Sequence, residues 1–260
     1  MTPRPVCLKR ILNGREPQRT ALFSTPAYLK FRRGLVVLLK KLSLNTMLMP
    51  FNSMIIFIMK LQARCCSDDA TYQKYNTNFT TKADWRRNNT YSLVDTCHKK
   101  IAAVKADVLF GVSPAGVWRN KSDDPLGSDT QAGASNYDFA YADTRKWVID
   151  GIIDYIAPQV YWPFAREVAR YDAITQWWAD TVSGTGTALY IGMALYKVGT
   201  ASETEPDWTV EGGVPEITRQ LDLNDSLTEV SGCMLFRHIF LRASQTQQVV
   251  DYLKLRWADV

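Results

Sequence analysis

Residues 107–120 read DVLFGVSPAGVWRN, and residues 153–162 read IDYIAPQVYW. Each begins as a short apolar run bounded by Gly or Pro, which predicts a buried strand over 108–112 and another over 155–161. Each run then opens into aromatic and hydrogen-bonding residues. A buried strand whose C-terminal end carries Ser, Trp, Arg, Asn, Gln and Tyr is how an α/β barrel presents a ligand site. Ring faces beside planar polar groups suit a sugar, whose C–H faces pack on aromatics while its hydroxyls need partners.

Outward from these strands the pattern stays regular. Helices are expected over 84–105, capped by Asp84, and over 141–151, 170–182, 215–221 and 244–257, with further strands over 188–196 and 232–236. Strands alternating with helices imply βαβ units and a parallel sheet. The four strands read as half of an eight-stranded (β/α)8 TIM barrel. The Gly- and Ser-rich stretch 116–137 is a long loop, and loops of that length in a compact domain are usually functional. No GxGxxG or GxxxxGK[ST] follows any strand, which argues against a nucleotide site.

The chain has 260 residues and a net charge of +5, but that charge is unevenly placed. Residues 1–66 hold 12 of the 31 Lys and Arg and one of the 26 acids, Glu16. They also hold Tyr28 but none of the other Tyr and Trp residues. Two compositions meet near Cys65-Cys66, so 1–66 is set apart as an atypical basic segment and 67–260 as the folded unit. The polar start from Met1 to Arg33 does not resemble a signal peptide. The apolar stretch Leu48–Leu61 is short for a bilayer span and is interrupted by Pro50, Asn52 and Ser53, so membrane association is not expected. The folded part is acidic, which disfavours nucleic acid. With two histidines, one of them in a helix, and no paired cysteine spacing, no metal or other cofactor is expected.

The segments ADWRRNN (83–89), FGVSPAGVWRN (110–120), YADTRKWV (141–148), IDYIAPQVYW (153–162), WW (177–178) and LYIGMALYKVG (189–199) occur in order. In these the chain resembles the glycosyl hydrolase-like 10 family of bacterial surface proteins. The resemblance implies a TIM-barrel domain acting on a polysaccharide, plausibly cell-wall glycan, outside the cell or in its envelope. It also implies an Asp-Asp-Tyr motif on a central strand, just before the matching part. This chain lacks it. Back-translation of Phe51–Ala63, read from the third base of each codon, can spell Gln-Phe-Asp-Asp-Tyr-Phe-Tyr-Tyr-Glu-Val-Ala-Gly. The second Asp and the Glu are forced by Met54-Ile55 and Met59-Lys60. The same shift over Ser24–Arg33 permits another family-like stretch. The expectation is therefore an out-of-frame translation over about residues 20–65, with the catalytic carboxylates lost from the chain.

Candidate sugar-binding residues are Ser113, Trp118, Arg119 and Asn120 after the first strand, Gln159, Tyr161 and Trp162 after the second, and Tyr196 after the third. Lys197, Arg237 and His238 also stand at strand ends. The competing reading makes Trp118 core and Arg119 a salt-bridge partner. No catalytic pair is assigned. Asp123, Asp124, Asp138 and Asp143 read as loop charges or helix caps, Asp154 precedes its strand, and Asp68-Asp69 begin a surface helix. A non-catalytic carbohydrate-binding remnant is the rival function. Sequencing the coding DNA should reveal the Asp-Asp-Tyr stretch in the shifted frame across Phe51–Ala63. Any other peptide there refutes the frameshift.

Overall fold

A computed structural model describes residues 53–57, 68–76 and 78–258. Its centre is one sheet of five strands, β1 (Ser53–Phe57), β2 (Leu109–Ser113), β3 (Tyr155–Ile156), β4 (Ala188–Met193) and β5 (Val230–Leu235). They lie in the order β1-β2-β3-β4-β5, every neighbouring pair parallel. Chain order equals spatial order with no reversal, unlike a doubly wound sheet. The fold is α/β, an arc of a TIM-type barrel. The helices are α1 (Asp69–Tyr75), α2 (Lys82–Ala102), α3 (Asn136–Phe139), α4 (Thr144–Ile149), α5 (Tyr171–Val182), α6 (Val214–Ser226) and α7 (Gln247–Arg256).

β1 comes from the segment set apart on composition. It pairs with β2 from Ser53↔Leu109 to Phe57↔Ser113, so the sheet extends one strand beyond the expected four. The rest of residues 1–66, including the remainder of the Leu48–Leu61 stretch and of the expected out-of-frame segment, lies outside the described residues. Among the described residues no helix is long and apolar enough to cross a membrane.

The two faces of the sheet are built differently. Towards the helices point Phe110, Val112, Ile156, Leu189, Ile191 and Met193, all fully buried. Burial of each such side chain contributes about 1.5–3 kcal/mol. On the opposite face large residues alternate with glycines. Tyr155 meets Tyr190 edge to face at 5.7 Å. A Cβ on Gly111 would lie 2.3 Å from the Tyr155 ring, and one on Gly232 would lie 3.4 Å from Tyr190. Small residues beside large ones fill a tapering barrel interior without overlap.

Several element boundaries move for local reasons. α2 begins before Asp84, because the Thr81 hydroxyl accepts the Asp84 amide (3.0 Å) and donates to its carboxylate (2.6 Å). That is a reciprocal cap with Asp84 inside the first turn. β3 is shorter than expected because Pro158 brings no N–H to the ladder. Pairing continues as isolated bridges from Gln159 to Ala115 and to Gly192. The expected long helix 141–151 is reduced to α4. Asp68 and Asp69 begin α1, a mostly exposed helix, as expected, but the Asp68 side chain is not a solvated charge. It is buried, clamped by Arg86 at 2.8 and 2.6 Å and by Lys82. Burial alone would raise its pKa, but those two cations hold it below the ordinary value.

Gly111→Ala should lower stability by about 1–3 kcal/mol through overpacking, as measured by urea unfolding. Tyr155→Ala should cancel part of that extra cost in the double variant. An equal loss in both backgrounds would refute the steric reading.

Candidate functional site

The C-terminal strand ends gather an aromatic group. Tyr161 meets Tyr196 edge to face at 5.7 Å and stacks on Phe236 at 5.6 Å, with ring planes 29° apart. Tyr196 also contacts Phe236 at 5.9 Å and Phe240 at 6.3 Å. Tyr161 and Tyr196 are half-buried, and neither hydroxyl is hydrogen-bonded to a described residue. Burial pushes both phenols above their ordinary pKa, and the Glu205 charge adds to this at Tyr196. Both therefore stay neutral and can donate or accept a hydrogen bond. Beside them Gln159 Nε2 donates to the Ser113 carbonyl (3.0 Å) and approaches the Ser113 hydroxyl (3.4 Å). Sequence position links Gln159, Tyr161, Tyr196 and Ser113 to strand ends. Phe236 and Phe240 were missed, and the signal for them was the apolar spacing of 235–241 just past β5.

The residues after β2 are placed otherwise. Trp118 is buried, donates from Nε1 to Asp143 (2.9 Å), stacks on Trp177 at 5.6 Å and meets the edge of Tyr137 at 5.5 Å. Arg145 lies over the same ring at 5.8 Å. No ring face is left for a sugar, so Trp118 is core, contrary to its candidacy. Arg119 is an ion-pair partner. It binds Asp124 (3.0 Å) and Asp138 (2.9 Å) and lies over the Tyr137 ring at 4.6 Å.

Asn120 is occupied as well. Its Oδ1 accepts from the Thr130 hydroxyl (2.9 Å) and the Ala132 amide (2.8 Å), while Nδ2 donates to Asp123 (3.0 Å) and the Ala132 carbonyl (3.1 Å). An amide has two donor and two acceptor places, and all four are filled. Asn120 thus knots the long loop instead of reaching for ligand. That loop borders an open surface depression of about 420 Å³ whose walls include Arg119, Asp123, Ser135, Asp138 and Phe139. Trp162 is half-buried beside Gly116, where a Cβ would come within 2.9 Å of its ring. Trp178 anchors the other side of the turn by donating to the Gly116 carbonyl at 2.7 Å. Trp177, the partly exposed one of the pair, donates to the Leu126 carbonyl at 2.8 Å.

Most carboxylates near the mouth are engaged. Asp143 caps α4 and holds Trp118, while Asp154, at the opposite end of the strands, accepts the Phe110 amide (2.6 Å) and faces His98 (3.3 Å). Sequence reasoning passed over Glu205 and Glu216, both buried. Glu205 accepts from Lys197 (2.6 Å) and from Trp208 Nε1 (2.8 Å), which pairs the strand-end lysine. Arg237 and His238 are exposed. Among the described residues no group of three His, Cys, Asp or Glu is placed to hold a metal ion.

A family profile described as Glycosyl hydrolase-like 10 matches residues 57–210. The chain belongs to this family. It is 60% identical over 193 residues to Glycosyl hydrolase DigH of Escherichia coli O6:H1, a match covering 74% of this chain and 44% of the relative. It is 45% identical over 170 residues to Glycosyl hydrolase YngK of Bacillus subtilis, covering 65% of this chain and 32% of that protein. The chain thus spans less than half the length of these curated relatives. A β-glucuronidase of Bacteroides uniformis superposes with a TM-score of 0.40 at 10% identity over 64% of this chain and 17% of that one, too slight a likeness to bear on the fold.

Asn120→Ala should cost about 1–3 kcal/mol by leaving buried partners unsatisfied. Limited proteolysis should then cut within 120–135 faster than in the wild type. Unchanged cleavage would show that the loop does not depend on this knot.

Proposed function

We propose that this chain derives from a glycoside hydrolase acting on a polysaccharide, plausibly cell-wall glycan at the cell envelope, and that its own catalysis is impaired. The observation carrying the carbohydrate reading is the pair Tyr161 and Tyr196. They present partly exposed rings and unbonded hydroxyls at adjacent strand ends. Their faces can pack on the C–H surface of a sugar while their hydroxyls and the Gln159 amide meet its hydroxyls.

Impairment is argued from the carboxylates. Glycoside hydrolysis commonly needs two, about 5–5.5 Å apart for retention or roughly 6.5–9.5 Å for inversion. The described strand ends carry Ser113, Gln159, Tyr196 and Phe236, and no acid among them. The out-of-frame reading of residues 20–65 supplies a reason, since the missing Asp-Asp-Tyr would fall at β1. A non-catalytic sugar-binding remnant is favoured by the same observation.

The test is a panel of soluble glucan, xylan and chitin-type oligosaccharides, with binding followed by calorimetry and cleavage by product chromatography. Binding with little or no turnover is expected, and Tyr161→Ala should weaken binding about tenfold, in the range of one lost stacking contact. Robust turnover would overturn the impairment, and absence of any binding would overturn the carbohydrate reading.

A further inference from the structure

The segment that carries Tyr161 and Trp162 is held from below by a buried acid. Glu216 stands in the first turn of α6 and is 3% exposed. Its Oε1 accepts the Phe164 amide at 3.1 Å and Gln220 Nε2 at 2.7 Å. The same Gln220 Nε2 approaches the Trp162 carbonyl at 3.4 Å. Two side chains one helical turn apart thus grip the backbone on both sides of Pro163. Gln220 is fully buried, and its Oε1 meets no partner. Phe164 adds packing, stacked on Tyr171 at 5.5 Å with Arg219 over its ring at 4.2 Å.

We propose that Glu216, acting with Gln220, is a positioning residue for the sugar platform: it sets the Trp162–Phe164 backbone and through it the Tyr161 ring against Tyr196 and Phe236. This rests on the carbohydrate reading above. The grip has a purpose beyond filling space. An apolar residue would pack at this site without desolvating a carboxyl, whereas Glu216 supplies an acceptor for the part-buried Phe164 amide. Tyr161 lies three residues from Phe164, and Gly116 leaves the room that Trp162 occupies. A slip of the Phe164 anchor therefore moves both rings relative to the strand ends.

Burial raises the Glu216 pKa. The Gln220 and Phe164 hydrogen bonds oppose that rise, Asp207 of the turn Pro206–Trp208 adds to it, and Arg219 of the same helix lowers it. A carboxyl raised on folding leaves stability intact below its unfolded value and removes it as pH climbs through the folded value.

The experiment compares the wild type with Glu216→Gln, Glu216→Leu and Gln220→Leu of the full chain. Readouts are amide exchange at Phe164, affinity for the tightest oligosaccharide of the panel, and stability against pH. Glu216→Gln keeps the acceptor, so it should retain wild-type exchange and affinity while flattening the fall in stability as pH rises above the ordinary glutamate range. Glu216→Leu should speed Phe164 exchange and weaken the sugar about tenfold, the scale of one lost hydrogen bond. Gln220→Leu should weaken the sugar in the same direction, which serves if Glu216→Leu does not fold. Unchanged exchange and affinity in the leucine variants would overturn the clamp. A wild type that binds no sugar would instead overturn the platform reading, and with it the purpose assigned to the clamp.

Discussion

The arc of the sheet depends on Tyr155 lying against the bare backbone of Gly111. In a parallel sheet wrapped by helices both faces must be filled, and the inner face of a barrel has less room than the outer. Here the inner layer alternates Gly111, Tyr155, Tyr190 and Gly232, while the outer face carries an unbroken set of buried aliphatic and aromatic side chains. The rings fill the concave side and the glycines let the strands approach them. Strand ends converge as a consequence, which brings residues from different βα units to one mouth.

Around that mouth the loops are held by buried polar contacts as well as by packing. Asn120 closes the loop after β2 with four hydrogen bonds. Trp178 pins its first turn through Gly116, and Glu216 with Gln220 pins the loop after β3. Each of these groups is costly to bury unless its partners are in place. Apart from the unpartnered Gln220 Oε1, these contacts hold the loops in one arrangement, which the rings of Tyr161, Tyr196 and Phe236 inherit. Rigid aromatic faces lose little entropy when a sugar packs on them.

Family membership and the geometry of the mouth divide the question of function. The mouth holds rings, phenols and the Ser113–Gln159 pair. The acids described near it are engaged in capping, ion pairs or backbone anchoring. The chain spans less than half the length of its curated relatives, and among the described residues the groups left unpaired at the mouth are the phenols of Tyr161 and Tyr196.

The alternation of strands and helices, the parallel sheet and the barrel order were legible because burial on both faces forces continuous apolar runs, and chain order follows from short right-handed connections. The strand-end positions of Gln159, Tyr161 and Tyr196 were legible for the same reason. Thr81 as the true cap of α2 was not, since Thr81 and Asp84 are both acceptable caps and only backbone geometry chooses between them. Trp118, Arg119 and Asn120 carry the same chemistry whether they face a ligand or the protein. Their fate was decided by Trp177, Tyr137, Asp124, Asp138 and Ala132, partners close in space but mostly distant along the chain. Phe236, Phe240, Glu205 and Glu216 were overlooked because an apolar or acidic side chain has no local mark of which distant residues it touches. By itself the sequence determined the class of fold, its order and the chemistry available at the strand ends. Tertiary structure decided which of those groups remain free, because hydrogen-bond saturation and ring burial depend on neighbours that local pattern does not encode.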